Sequence, residues 1–176
     1  MRTIILKEKD FEDGIYCGEE DLSNIEGNLE IEKSGWCRFE GDIFAKGNIF
    51  ANGDIFTKGD IFAKGDIFTE GDISAEGDIS ADGDISAKGN ISAKGGVLKA
   101  FYGITAGLKI FAKTKIECGM RIFAGVAPWS WVNKEHREIK CGKLVSGEIG
   151  YGDLIETELE ETAEIIELNG VKYKRI

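Results

Sequence analysis

The stretch that decides the fold spans residues 41–94 and reads GDIFAK GNIFAN GDIFTK GDIFAK GDIFTE GDISAE GDISAD GDISAK GNISAK. These are nine consecutive hexads, each with Gly at the first position and Ile at the third. Odd positions hold Gly, Ile and Ala or Thr, whereas even positions hold Asp or Asn, then Phe or Ser, then a charged residue or Asn. Alternation with a period of two predicts β-strands whose odd side chains point inward. A helix is excluded, because Gly at every sixth residue would cost about 1 kcal/mol each.

The hexads predict an all-β protein built as a triangular β-solenoid, with three hexads in each coil of 18 residues. No hairpin turn separates the hexads, which argues against a single flat sheet. The inward Ile side chains would stack as ladders, and the small Gly and Ala would fit the narrow corners. Nine hexads make three coils, about 14 Å long at about 4.8 Å per coil. The pattern leaves the handedness of the coil open.

Outside the hexads the chain divides into two further parts. Residues 1–40 are predicted to form an N-terminal cap and an irregular first coil, with Ile25, Leu29 and Ile31 inward. The β-solenoid is assigned to residues 41–127, because alternating apolar positions persist beyond Gly95. Residues 128–176 are predicted to form a C-terminal β-hairpin cap or small appendage. Its signal is Asn169-Gly170, a type I′ turn sequence between two strand-like segments.

Charge and composition exclude several classes of protein. The chain has 22 Lys and Arg against 32 Asp and Glu, a formal net charge of −10, which argues against a general binder of nucleic acid or anionic membranes. Near the N-terminus only Ile4-Ile5-Leu6 is apolar, so neither a signal peptide nor a membrane span is expected. A cytoplasmic location with free thiols follows as the expectation.

Chemistry-bearing residues are sparse and dispersed. Cys17, Cys37, Cys118 and Cys141 form no CxxC pair, so no metal site and no cofactor are expected. His136 is the only histidine and has no partner motif. The sequence contains no phosphate loop, nucleophile elbow or HExxH motif. We therefore predict a protein that is not an enzyme and assign no catalytic residue.

Three resemblances bear on the repeat. The GDIxAxGDIxA run resembles bactofilins, bacterial polymer-forming proteins, which implies a right-handed triangular β-helix and self-association. YGITAGLKIFAKTKIECGMRIFAG (residues 102–125), following tandem hexads, is similar to small hexad-repeat β-helix proteins of anaerobic bacteria and their phages, a family to which no activity is assigned. The hexads also resemble left-handed hexapeptide acyltransferases in placing Gly four residues after Ile, but Phe or Ser directly after Ile departs from that pattern.

The outward even positions supply the candidate binding surface. Phe occupies the fourth position of the first five hexads and Ser that of the last four, so a contiguous aromatic band is expected on the early coils. The Asp and Asn of the second position would stack from coil to coil, either as local hydrogen-bond acceptors at the corners or as negative charge that imitates nucleic-acid phosphates. The residues predicted to contact a protein partner are Phe44, Phe50, Phe56, Phe62, Phe68, Asp42, Asp60, Asp66, Asp72, Asp78 and Asp84.

A basic stretch follows the hexads. Residues 96–127 contain five cations and one acidic residue, Glu117, a sum of +4. The stretch is predicted either to contact an anion or nucleic acid, or to dock the acidic run at 153–164 of the same chain, which we favour. The cations are Lys99, Lys109, Lys113, Lys115 and Arg121.

Three functions remain in contention. The first is a non-enzymatic protein-binding module. Small acidic phage proteins include blockers of host defence nucleases, so the phage resemblance implies an anti-CRISPR-like inhibitor of a nucleic-acid enzyme. The second is a bactofilin-like scaffold, a homo-oligomer formed through the Phe residues or the coil ends. The third is a hexapeptide-type acyltransferase, which the isolated His136 disfavours.

Overall fold

A computed structural model describes residues 2–128, 133–157, 165–168 and 171–174. It is all-β, with parallel coils of about 18 residues stacked into a β-solenoid of about 7 turns. The fold predicted from the hexads is therefore confirmed. Within the described residues, no helix is long and apolar enough to cross a membrane.

Each coil contributes one short strand to each of three faces. Face 1 holds β6 (Ile43–Ala45), β9 (Ile61–Ala63), β12 (Ile79–Ala81) and β15 (Leu98–Ala100). Face 2 holds β1 (Thr3–Leu6), β4 (Asn28–Ile31), β7 (Ile49–Ala51), β10 (Ile67–Thr69), β13 (Ile85–Ala87) and β16 (Ile104–Ala106). Face 3 holds β3 (Ile15–Tyr16), β5 (Trp36–Phe39), β8 (Asp54–Thr57), β11 (Ile73–Ala75), β14 (Ile91–Ala93) and β19 (Asp153–Glu156). Two long strands, β17 (Ile110–Ala124) and β18 (Glu138–Tyr151), pass over all three faces.

The register places equivalent hexad positions directly above one another. Ile43 pairs with Ile61, Phe44 with Phe62 and Ala45 with Ala63, an offset of one coil. Because the offset is even, every odd side chain stays inside, and the hexad Ile residues are at most 1 % exposed. Where Thr replaces Ala at the inward fifth position, its hydroxyl finds a partner: Thr57 donates to the Gly41 carbonyl.

The six-residue spacing continues beyond Lys94, where the sequence alone showed only alternating apolar positions. Leu98, Ile104, Ile110, Ile116 and Ile122 lie six residues apart, and all are buried. One extra residue at Gly95 lengthens the coil, so that Ile79 pairs with Leu98. Parallel pairing continues through β18 and β19 and also includes β1, β4 and β5, so it extends beyond residues 41–127 at both ends.

The N-terminal end of the solenoid is covered on two faces. Leu22–Asn24 forms a short 3-10 helix, after which Ile25 bridges to Ala45 on face 1. On face 3, β2 (Phe11–Glu12) pairs antiparallel with β3, and the rings of Phe11, Tyr16 and Phe39 pack at 5.7–5.8 Å between centroids. The predicted inward positions Ile25, Leu29 and Ile31 are all buried.

Two described strands near the C-terminus pair with each other. β20 (Ile165–Leu168) pairs antiparallel with β21 (Val171–Lys174), with Leu168 opposite Val171. The turn Asn169-Gly170 lies outside the described residues. Two further 3-10 helices, Glu8–Asp10 and Lys134–Arg137, complete the described elements.

Candidate interaction surfaces

The Asp and Asn columns form hydrogen-bonded ladders along the solenoid axis. The Asp42 carboxylate accepts from the Asp60 N–H at 2.9 Å, and Asp60 accepts from the Asp78 N–H at 2.8 Å. The other two corners repeat this arrangement, with Asp66 accepting from Asp84 and Asp54 from Asp72. The backbone role expected of these residues is therefore correct, although the bonds run between coils rather than within one turn.

These ladders explain Gly at the start of most hexads, with Gly41 and Gly53 as exceptions because a Cβ there would meet no ladder side chain. A Cβ placed on Gly77 would lie 1.8 Å from Asp60 Oδ1, the oxygen that accepts from Asp78. The space that a Cβ would need is filled by the carboxylate of the coil below. Gly and Asp are therefore a coupled pair, and one oxygen of each ladder carboxylate is engaged in holding the coils together.

The outward Phe residues differ from face to face. On face 1, Phe44 and Phe62 stack with centroids 4.7 Å apart and planes 11° from parallel. On face 2, Phe50 and Phe68 are 6.4 Å apart and tilted by 51°. On face 3, the column neighbours of Phe56 are Arg38 and Ser74 rather than a second aromatic residue, and Lys94 Nζ lies 4.6 Å from its ring centroid.

Outward aromatic residues also occur in the coils that follow the nine hexads. Phe111 lies beside Ser92 on face 3, and Phe123 lies beside Thr105 on face 2. Both occupy the fourth position of hexads that continue beyond Gly95. Sequence reasoning missed them because those hexads lack the leading Gly; the six-residue spacing of Leu98, Ile104 and Ile110 was the signal that could have found them.

Face 2 carries an outward column with six consecutive uncharged residues, and Glu30 precedes them as the register partner of Phe50. Adjacent residues in this column pair across neighbouring strands, and Phe50 and Tyr151 are 41 % and 38 % exposed. We call this set the face 2 column; its members are Phe50, Phe68, Ser86, Thr105, Phe123 and Tyr151. The equivalent column on face 1 contains charges, since Lys99 follows Ser80 and Glu117 follows Lys99.

Face 3 carries a groove between two aromatic rings. Its column runs from Phe56 through Ser74 and Ser92 to Phe111, so two small residues separate the two large ones. The resulting groove has a volume of about 570 Å³. Trp36, which is 52 % exposed, lines it near the N-terminal end of the solenoid.

The basic stretch is engaged with nearby acidic residues. Lys99 and Lys115 both contact Glu117, at 3.4 and 2.6 Å, and this pairing, chiefly with Lys115, lowers the pKa of the Glu117 carboxyl. Arg121 pairs with Glu148 at 3.3 Å. Lys109 likewise lies 3.5 Å from Glu138.

The described part of the acidic run at 153–164 pairs with residues outside the basic stretch. Within the described residues, Asp153 pairs with Arg137 and Glu156 accepts from the Leu144 N–H. The described ion pairs of the basic stretch are made with Glu117, Glu138 and Glu148. Residues 158–164 lie outside the described part, so docking of that segment stays a prediction, as does contact of Lys113 and its neighbours with an external anion.

The thiols and the histidine lie apart from these surfaces. Cys37, Cys118 and Cys141 take inward positions and are free and buried, whereas Cys17 is exposed. Burial raises the pKa of Cys37 and of Cys141 to about 11. His136 lies in the 3-10 helix after β17, and we propose no catalytic role for it. The described residues contain no group of three or more His, Cys, Asp or Glu able to hold a metal ion.

Comparison with protein-family models, with curated proteins and with solved structures finds no match to this chain. The function proposed below therefore follows from the surfaces of the solenoid.

Proposed function

We propose that this protein is a non-enzymatic protein-binding module and that the face 2 column is its docking surface. The observation that carries this proposal is the interchange of Phe and Ser at the outward fourth position. Phe68 pairs with Ser86 while the flanking Ile67 and Ile85 keep the same register. The coil therefore keeps the same register with either residue, and the strand pairing itself does not require outward rings.

An outward aromatic column that the fold does not need suggests a partner. An exposed apolar side chain contributes little to the stability of the fold. A contiguous group of such side chains contributes binding energy when a second protein covers it. The face 2 column extends over five coil steps, a length of about 24 Å. With a face about 20 Å wide, the part of face 2 that a partner could cover has an area of about 500 Å². A standard interface covers about 800 Å² per partner, so we expect the partner to extend around a corner of the solenoid.

One corner beside the face 2 column is acidic, and the other carries a neutral ion pair. Asp66 and Asp84 form one edge, and on the other side Glu70 pairs with Lys88. An apolar centre with a charged rim is the usual anatomy of an interface, and an acidic rim suits a basic partner. Because this protein has a net charge of −10, the partner class that we propose is a nucleic-acid enzyme. The protein would then act as an anti-CRISPR-like phage inhibitor that blocks this enzyme.

The test compares matched variants of two faces. Phe50→Ser with Phe68→Ser removes the face 2 rings, and Phe44→Ser with Phe62→Ser removes the same rings from face 1. Immobilised wild-type protein, cross-linked in lysate of its own host, is expected to enrich a basic protein that the face 2 variant loses and the face 1 variant keeps. Equal enrichment by all three proteins, or no enrichment by the wild type, would refute the proposal.

A self-associating scaffold is the second candidate, and the same column supports it. Two chains with a charge of −10 repel each other least where an uncharged surface meets its copy. End-to-end polymerisation is less favoured, since the 3-10 helix and the β2–β3 pair cover two faces of the N-terminal end. Light scattering that shows a concentration-independent monomer would exclude the scaffold and leave the binding module intact.

A further inference from the structure

The groove on face 3 has the dimensions of a small-ligand site. Phe56 and Phe111 are three coil steps apart, about 14 Å, and the smaller Ser74 and Ser92 form the floor between them. Its volume of about 570 Å³ falls within the range of about 300–1,000 Å³ typical of ligand sites. Such sites are mostly apolar and contain a few polar groups that orient the ligand.

The floor of the groove contains a hydroxyl without a partner. Ser74 is only 8 % exposed, and its Oγ makes no hydrogen bond within the described part of the chain. The equivalent Ser80 on face 1 is more exposed. A buried hydroxyl without a partner destabilises the fold, and a ligand oxygen in the groove would supply the missing hydrogen bond. The exposed side chain of Lys94 lies over Phe56 and lines the same groove as Ser74, and we expect a ligand that reaches the buried Ser74 hydroxyl to displace it.

The charges around the groove are nearly balanced. Arg38 pairs with Glu40 at 3.0 Å, and Lys109 pairs with Glu138 at 3.5 Å. Asp72 uses one oxygen to accept from the Asn90 N–H at 2.6 Å and so keeps a second acceptor. Lys94 and Asp54 also line the groove, and Lys94 makes no ion pair among the described residues. A phosphate or sulfate group would need a cluster of unpaired cations, whereas this lining offers a single one beside the carboxylates of Asp54 and Asp72. A neutral ligand rich in hydroxyl groups fits these acceptors and donors better.

We propose that the face 3 groove binds a neutral oligosaccharide. The C–H faces of sugar rings pack against aromatic side chains, here Trp36, Phe56 and Phe111. The hydroxyls of Ser74 and Ser92 exchange hydrogen bonds with sugar hydroxyls, and Asp72 accepts from them. This site is separate from the face 2 column and does not depend on the proposed protein partner.

The repeat itself supplies variants that test this proposal without disturbing the fold. Ser92→Phe fills the groove with a residue that other hexads carry at the same position, and Phe56→Ser removes one wall. The matched controls are Ser80→Phe and Phe62→Ser, which make the same changes on face 1. Urea denaturation of the four variants and the wild type is the control for folding, and similar unfolding curves are expected.

Binding is measured on an array of neutral tetra- to hexasaccharides of glucose, galactose, mannose, xylose and N-acetylglucosamine, with oligogalacturonate and sulfated oligosaccharides as the anionic set. The wild type and both face 1 variants are expected to bind at least one neutral series. Ser92→Phe and Phe56→Ser are each expected to weaken that binding by about tenfold or more. Absence of neutral binding, binding to anionic sugars alone, or binding that survives Ser92→Phe would each overturn the proposal.

Discussion

Replacing Gly77 with Ala perturbs the coupled Gly and Asp positions that join one coil to the next. Gly77 does not have a positive φ, so the backbone itself accepts Ala. The new Cβ would instead lie 1.8 Å from Asp60 Oδ1 and 3.0 Å from its Cγ. The Asp60 side chain must therefore rotate away, and the bond of 2.8 Å from the Asp78 N–H is lost.

The magnitude follows from that lost bond. A hydrogen bond to a charged group contributes about 1.5–3 kcal/mol, so we expect Gly77→Ala to lower the free energy of unfolding by about 2 kcal/mol. Asp60→Ala loses the same bond and should cost a similar amount. In the double variant, Gly77→Ala with Asp60→Ala, the new Cβ meets no carboxylate. We therefore expect the double variant to lower the free energy of unfolding by about 2 kcal/mol in total, rather than by the additive value of about 4 kcal/mol.

Urea denaturation of the four proteins measures this cycle. Gly41→Ala is the matched control, because a Cβ there has no heavy atom within 4 Å, and it should cost less than about 0.5 kcal/mol. Equal losses of unfolding free energy for Gly41→Ala and Gly77→Ala would mean that the hexads need the backbone flexibility of Gly rather than the space above Asp60. Additive single costs would likewise refute the coupling.

Three further predictions concern the core, the outer surface and the thiols. Ile67→Ala should lower the free energy of unfolding by about 2–5 kcal/mol, because Ile67 is fully buried. Phe68→Ser should lower it by less than about 1 kcal/mol, because Phe68 points outward. Equal losses in urea denaturation would contradict the assignment of Ile67 as inward and Phe68 as outward. Ellman's reagent should modify Cys17 alone until the chain unfolds, and rapid reaction of a second thiol would count against the burial of the others. Since burial raises the pKa of Cys37 and Cys141 to about 11, their contribution to stability is complete below about pH 8.5 and is lost as the pH rises through 11. Cys141→Ala should therefore flatten the fall in Tm between about pH 8 and pH 10.5, and an unchanged fall would show that other groups cause it.

Much of the core was predictable because the hexad has an even length. Six residues keep every Ile on the same side of the chain, so Ile43 to Ile91 are inward whatever the geometry of the corners. The same reasoning placed Phe44 next to Phe62 and Asp42 next to Asp60, and both neighbours are observed.

The surfaces were harder to predict, because they depend on which coils follow one another on a given face. The insertion at Gly95 shifts the later hexads by one residue, so Phe111 is 55 positions after Phe56 yet lies in the same column. Sequence spacing alone therefore did not show that two Ser residues separate these rings. It also did not show that Ser74 would be buried while the chemically identical Ser80 stays more exposed.

The sequence by itself determined that this protein is a solenoid, because the hexad period fixes the face of each side chain and the residue stacked on it in the next coil. It also determined the acidic charge and the dispersal of the cysteines. Only the tertiary structure decided that the Asp carboxylates bond from coil to coil, that the basic stretch is paired with Glu117, Glu138 and Glu148, and that face 3 contains a groove. The physical reason is that the period specifies which residues are neighbours in a column, whereas a hydrogen bond, an ion pair or a groove depends on the distances and orientations of those side chains, which the period does not specify.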